Sequence, residues 1–321
     1  MPEPVSIAGA EARGRLAFVF PGGGSQYVGM GQDAYERYPS ARRTFEEADQ
    51  VLGFSLSGLC FEGPEAELTD TVNAQPATVT TSAALLAVLR DRFGPELSPD
   101  MVAGHSTGQY TALLAAGALD LRSGVSLVRE RGRLMKEAGH RSTGAMAAVL
   151  GMDIGPLEAI CDEVGEVWVS NDNAPGQIVL AGTTGALRRA SQLASQRGAR
   201  RVIPLAVNIA SHSPLMASAT ESLGRIVSEV TLRRAQVPVV VNTSASAMSS
   251  PEDLRQELVR HLTSRVRWAE SIRHMIAAGV RTFVEIGPKD VLSGLIRRID
   301  RGVHVVSIGT AASIEALEVG T

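Results

Sequence analysis

"MVAGHSTGQYTALLAAGALD", residues 101–120, passes from a short apolar run through Gly-His-Ser-Thr-Gly into a run of small and apolar residues. "MVA" reads as a buried strand and "TGQYTALLAAGAL" as a buried helix, so strand, tight turn and helix stand in the order a Gly-x-Ser-x-Gly elbow requires. The flanking glycines let the backbone turn sharply, which lifts the Ser106 hydroxyl out at a helix N-terminus. Ser106 is therefore a candidate nucleophile, against the alternative of a glycine-rich structural turn.

Working outward, "RLAFVFPGGGSQ" reads as a buried strand broken by Pro21 and three glycines, preceded by a loose polar tail over residues 1–14. Helical patterns follow over 31–52, 75–92 and 122–138, and this alternation of strand and helix is the signature of a parallel sheet. From 144 the texture changes to short strands, "AMAAVLGM", "VWVSNDN", "QIVLAG" and "RRVIPLAV", with helices over 154–163 and 184–198. The order βαββαβ predicts a ferredoxin-like small domain, 143–207, inserted into one sequence-discontinuous large domain, 15–142 and 208–321. The larger pattern resumes with helices near 214–229, 252–263 and 268–278, strands "VPVVVN" and "RTFVEIG", and a last helix and strand.

A chain of 321 residues, 44% hydrophobic, can bury a substantial core. A formal net charge of -3 with interspersed signs offers no basic field for nucleic acid. The apolar runs fall short of the ~20 residues a membrane helix needs. The two cysteines, Cys60 and Cys161, form no Cys-x-x-Cys, and the N-terminus has no signal-peptide pattern, so a cytoplasmic protein with inert thiols and no bound metal is expected.

Serine needs a base. Of the six histidines, His212 in "NIASHSPLM" is the best placed, between an apolar strand and a helix, where α/β folds gather active-site residues. His105 adjoins Ser106 and would point elsewhere from a tight turn. His140 lies in a polar loop, and His274 and His304 sit in contexts that need no chemistry. On the helix "SGVSLVRERGRLMKEAG", Leu127, Val128, Leu134 and Met135 form an apolar stripe, and Arg131 falls inside it, whereas Arg129 and Arg133 point away. A guanidinium there needs an anion, either a protein carboxylate or a substrate carboxylate. "FPGGGSQYVGMG" lacks the spacing of a nucleotide-binding loop, but consecutive glycines at a strand end expose amides as an oxyanion hole requires.

These stretches, with "NAQPA", "VRERGRLM", "NDNAPGQIVLAG", "VRW" and "VEIGPKDVLSGLI", occur in an order that resembles malonyl-CoA:acyl carrier protein transacylases and polyketide synthase acyltransferases. The resemblance covers nearly the whole chain and implies an α/β fold, with an α/β-hydrolase-like large domain on a parallel sheet and an inserted ferredoxin-like small domain. It makes Ser106 the acylated nucleophile and His212 its base in a dyad, with the backbone carbonyl at His261 orienting the imidazole. Arg131 becomes the grip on a malonyl carboxylate, Gly23 and Thr107 the oxyanion donors, and Gln26, Gln75 and Ser211 further substrate contacts. It implies no permanently bound cofactor, acyl-CoA as donor, and the phosphopantetheine thiol of an acyl carrier protein as acceptor.

Three departures bear on the acyl group: Gly23 stands where the family commonly has glutamine, Gln109 where it has glutamate, and "IASH" lacks the phenylalanine of malonyl-selective polyketide modules. The altered loop and "IASH" leave room for a discrete polyketide-pathway acyltransferase moving another acyl group, including from one carrier protein to another, while Gln109 removes a negative charge near the site without an assigned effect. An acyl-thioester hydrolase and a noncatalytic scaffold are the readings from other classes. Because carrier proteins are usually acidic, Arg188, Arg189, Arg197, Arg200 and Arg201 are candidate docking residues, with a solvated helix face as their plainer reading.

Overall fold

The computed structural model describes residues 5–7 and 14–320. A six-stranded sheet has the spatial order His304–Ile308, Val280–Ile286, Arg15–Phe20, Met101–Gly104, Val239–Val240 and Ala247–Met248. Its strands pair in parallel except the last, which is antiparallel to its neighbour. Leu16, Phe18 and Phe20 enter the larger core cluster, while Ala17 and Val19 enter the cluster on the opposite face. Strands apolar on both faces are what a parallel sheet covered by helices demands. The Thr71–Phe93 and Leu121–Arg141 helices pack against each other on the side of the larger cluster.

A second, antiparallel sheet has the order Val167–Ala174, Gln177–Thr183, Gly144–Leu150, Arg201–Pro204. The helices Ile154–Val164 and Thr184–Gln196 cover one face through a separate apolar cluster that includes Val149, Leu157, Ile160, Leu180 and Leu187. The sheet is stapled to the rest of the chain at Val266, whose N–H donates to Ser170 O at 2.8 Å and whose carbonyl accepts from Asp172 N at 2.9 Å.

Several sequence expectations need correction. The helix expected over 31–52 is two, Gln32–Arg37 and Pro39–Leu52, because Tyr38 is extended and Pro39 has no amide to continue the first. The helix expected from 75 starts at Thr71, capped by the Asp70 side chain, and runs through Pro76. The Val72 carbonyl that Pro76 cannot serve accepts from Arg129 Nη1 at 3.0 Å. Two short helices, Leu56–Glu62 and Glu65–Thr69, had no expected counterpart. The loose tail holds a strand: Val5–Ile7 pairs in parallel with Leu317–Val319 and fully buries Ile7, while residues 1–4 and 8–13 of that tail lie outside the described residues. Among the described residues no helix is long and apolar enough to cross a membrane.

Candidate active site

The chain leaves the Met101–Gly104 strand at its carboxyl end, where parallel sheets open a crevice. A Cβ on Gly104 would lie 1.9 Å from Gly108 O, and one on Gly108 would lie 2.1 Å from Phe20 O, so no side chain fits at either glycine. Between them Ser106 is left-handed, with φ 51. That conformation costs a non-glycine residue about 1–2 kcal/mol, so its surroundings must hold it. Its N–H donates to Asn242 Oδ1 at 2.8 Å. Thr107 then opens the Gly108–Ala115 helix, which leaves its amide without an intrahelical acceptor at the positive end of the helix dipole.

His212 is also left-handed, with φ 58, just before a turn in which Ser213 Oγ accepts from Leu215 N at 3.3 Å. Its Nε2 lies 2.8 Å from Ser106 Oγ, and its Nδ1 lies 2.8 Å from the His261 carbonyl. A carbonyl can only accept, so the proton sits on Nδ1 and Nε2 presents a lone pair to the serine hydroxyl. Burial, reinforced by the positive charge of Arg131, pushes the imidazole down to about 3 and keeps it neutral.

Arg131 is 1% exposed on the Leu121–Arg141 helix. Its Nη1 donates to Gln75 Oε1 at 2.5 Å and to Thr107 Oγ1 at 3.2 Å, and its Nη2 lies 3.4 Å from Ser106 Oγ. Among the described residues no carboxylate forms an ion pair with it. Burial lowers its affinity for the proton and the neighbouring Tyr110 raises it, but a guanidinium stays charged in a protein. A buried charge surrounded only by neutral dipoles is costly, and the site is built to receive an anion beside the serine hydroxyl. Arg129 lies over the Phe54 ring and Arg133 pairs with Glu130 and Glu137, both away from the cleft.

Residues 17–315 match the family described as acyl transferase domain. The chain belongs to the acyl transferase family. It is 46% identical over 305 residues to the malonyl CoA-acyl carrier protein transacylase of Bacillus subtilis (strain 168), covering 94% of this chain and 95% of that one. Identity to the Haemophilus influenzae protein of the same name is 39% over 307 residues, covering 95% and 98%. An acyl carrier protein S-malonyltransferase from Vibrio cholerae, solved as a crystal structure, superposes with a TM-score of 0.91 at 39% identity, covering 94% and 99%. A malonyl-transacylase solved in complex with a type II PKS acyl-carrier protein gives the same TM-score and identity, covering 94% and 98%.

The remaining candidate residues of this acyl transferase surround the same cleft unevenly. A Cβ on Gly22 would lie 2.3 Å from His105 O, so the glycine loop runs against the elbow and brings Gly23 beside it. Gln26 turns back on that loop, its Oε1 accepting from Gly24 N at 2.9 Å. Gln75 acts on Arg131 and is itself held by Nε2 donating to Thr71 Oγ1 at 2.9 Å. Ser211 is buried next to His212, and among the described residues its side chain makes no hydrogen bond. His105 faces Asn173, with its Nε2 2.8 Å from Asn173 Oδ1, and its ring meets Trp268 edge-on. Among the described residues no group of three or more His, Cys, Asp or Glu side chains is arranged to hold a metal ion. Sequence reasoning missed Asn242, and its one signal was its place as the polar residue closing the apolar run "VPVVVN" at a strand's carboxyl end.

Proposed function

We propose that the protein transfers a malonyl group from coenzyme A to the phosphopantetheine thiol of an acyl carrier protein through an ester on Ser106. The observation that carries the reading is a buried guanidinium with no carboxylate partner among the described residues, 3.4 Å from the hydroxyl of an already assembled serine–histidine pair. As Ser106 Oγ attacks the thioester carbonyl, His212 Nε2 takes its proton, and the oxyanion accepts from the amides of Gly23 and Thr107. Collapse expels the CoA sulfur, which leaves with the proton from His212. The carrier thiol then attacks the acyl-serine, His212 takes the thiol proton, and Ser106 Oγ recovers it as the new thioester forms. Arg131 grips the free carboxylate of the acyl group with its planar fork, and Gln75 fixes the fork's direction.

The reading divides the chain into an α/β-hydrolase-like large domain, 15–142 and 208–321, and a ferredoxin-like small domain, 143–207. The strand–helix–strand–strand–helix–strand order of the small sheet and its antiparallel pairing support that division. The same reading places the reaction in the cytoplasm and the carrier against Arg188, Arg189, Arg200 and Arg201, which are exposed, with Arg197 engaged by Glu163 at 2.7 Å. The test is to incubate the pure protein with labelled malonyl-CoA and then with holo-carrier protein. Label is expected on Ser106 and afterwards on the carrier thiol. No label, or label persisting in Ser106→Ala, contradicts the proposal, and rapid release of free malonate without a carrier makes the protein a hydrolase instead.

A further inference from the structure

We infer that Asn242 is a positioning residue that locks the turn of Ser106 and the anchor of His212 into one unit; this rests on the acyl-transfer reading above. The hydrogen bonds leave no freedom in its orientation. The Ser106 N–H can only donate, so the Asn242 atom 2.8 Å from it is the oxygen. The Gly104 carbonyl can only accept, so the atom 2.7 Å from it is Nδ2. The His261 Nε2, 3.1 Å from the same Asn242 oxygen, must then carry a proton. The carbonyl of that same His261 receives Nδ1–H of His212. A closed circuit results: Ser106 N–H to Asn242, Asn242 to His261, the His261 carbonyl to His212, and His212 back to the Ser106 hydroxyl. One carboxamide thus refers the nucleophile and its base to a common point, and a displacement of about 1 Å between them is enough to impair attack.

Asn242 is fully buried and held at its main chain, with its N–H donating to Gln109 Oε1 at 2.9 Å and its carbonyl accepting from Arg267 N at 2.9 Å. This gives Gln109, the departure without an assigned effect, a physical role. The Glu257 carboxylate, held by Thr243, already faces Gln109 in the buried layer, and a second acid at 109 would set two buried carboxylates against each other.

The test compares Asn242→Ala, Asn242→Asp, His261→Gln and His261→Leu by single-turnover acylation of Ser106, by the KM for malonyl-CoA and by the pH profile. Asn242→Ala slows acylation about ten- to a hundredfold while KM stays within about twofold. His261→Gln keeps a side-chain N–H for Asn242 and retains most of the rate, whereas His261→Leu loses as much as Asn242→Ala. Asn242→Asp keeps an acceptor oxygen but adds a negative charge near His212, which is otherwise faced by Arg131, His105 and His261. That charge favours the imidazolium, so the acid limb of kcat/KM moves to higher pH. Wild-type rate and pH profile in the Asn242 variants overturn the inference, as do equal losses in the two His261 variants; the His261 pair decides alone if Asn242→Ala does not fold. A wild type that takes no label overturns the acyl-transfer reading itself, whereas a labelled wild type with indifferent variants overturns only the role of Asn242.

Discussion

Around Ser106 and His212 each polar group has its partner in place: the serine hydroxyl on Nε2, Nδ1 on a carbonyl, the serine amide on a carboxamide. Around Arg131, a few ångströms away, a full positive charge is buried among Gln75, Thr107 and the serine hydroxyl, and among the described residues no anion meets it. The first region is complete before substrate arrives and would serve any thioester. The second becomes complete when a carboxylate enters. Reactivity and choice of acyl group are thus carried by different residues, although both converge on one oxygen atom.

Three substitutions and one condition, pH, can break this division. The largest effect is expected from His212→Ala, which leaves the serine proton without an acceptor and slows acylation by malonyl-CoA and acetyl-CoA alike, by about 10²–10⁴-fold. A loss confined to one donor would tie the imidazole to selection as well. Next, Arg131→Ala should reduce malonyl acylation by roughly 10²-fold and acetyl acylation far less, since only the former loses a charge-assisted pair. Arg131→Lys should recover part of the malonyl rate, because an ammonium supplies charge but not a planar fork. Parallel losses with both donors would contradict the clamp.

The smallest expected effect is in pH dependence. The free protein's base, pushed down to about 3, is already deprotonated, so kcat/KM should show no acid limb from His212 between pH 5 and 7. Arg131→Ala removes a repelling cation and lets the imidazole bind its proton more readily, so the limb should rise toward neutral pH. A wild-type limb at the ordinary imidazole value would contradict the buried, neutral dyad.

Much of this was legible in the sequence where one stretch carries its own constraint. The glycines at 104 and 108 announce a main chain too crowded for side chains, and Arg131 announces itself as a charge in an apolar stripe. The strands of the large sheet show as apolar runs because both their faces are covered. What stayed hidden depends on pairing between distant segments. Asn242 holds an amide 136 positions earlier, and nothing in "VPVVVN" names its partner. The Val5–Ile7 strand looked like a tail because its partner, Leu317–Val319, lies at the other end of the chain. Gln26 reads as a cleft residue from its motif, yet it spends its oxygen on its own loop.

The most direct measurement is the intact mass of the protein after brief exposure to an equimolar mixture of malonyl-CoA and acetyl-CoA, with the adduct mapped by peptide analysis. The site described here predicts one acyl group, on Ser106 and predominantly malonyl, because only that donor carries the carboxylate that Arg131 lacks. An acetyl adduct equal to or exceeding the malonyl one, or an acyl group on another residue, would contradict it.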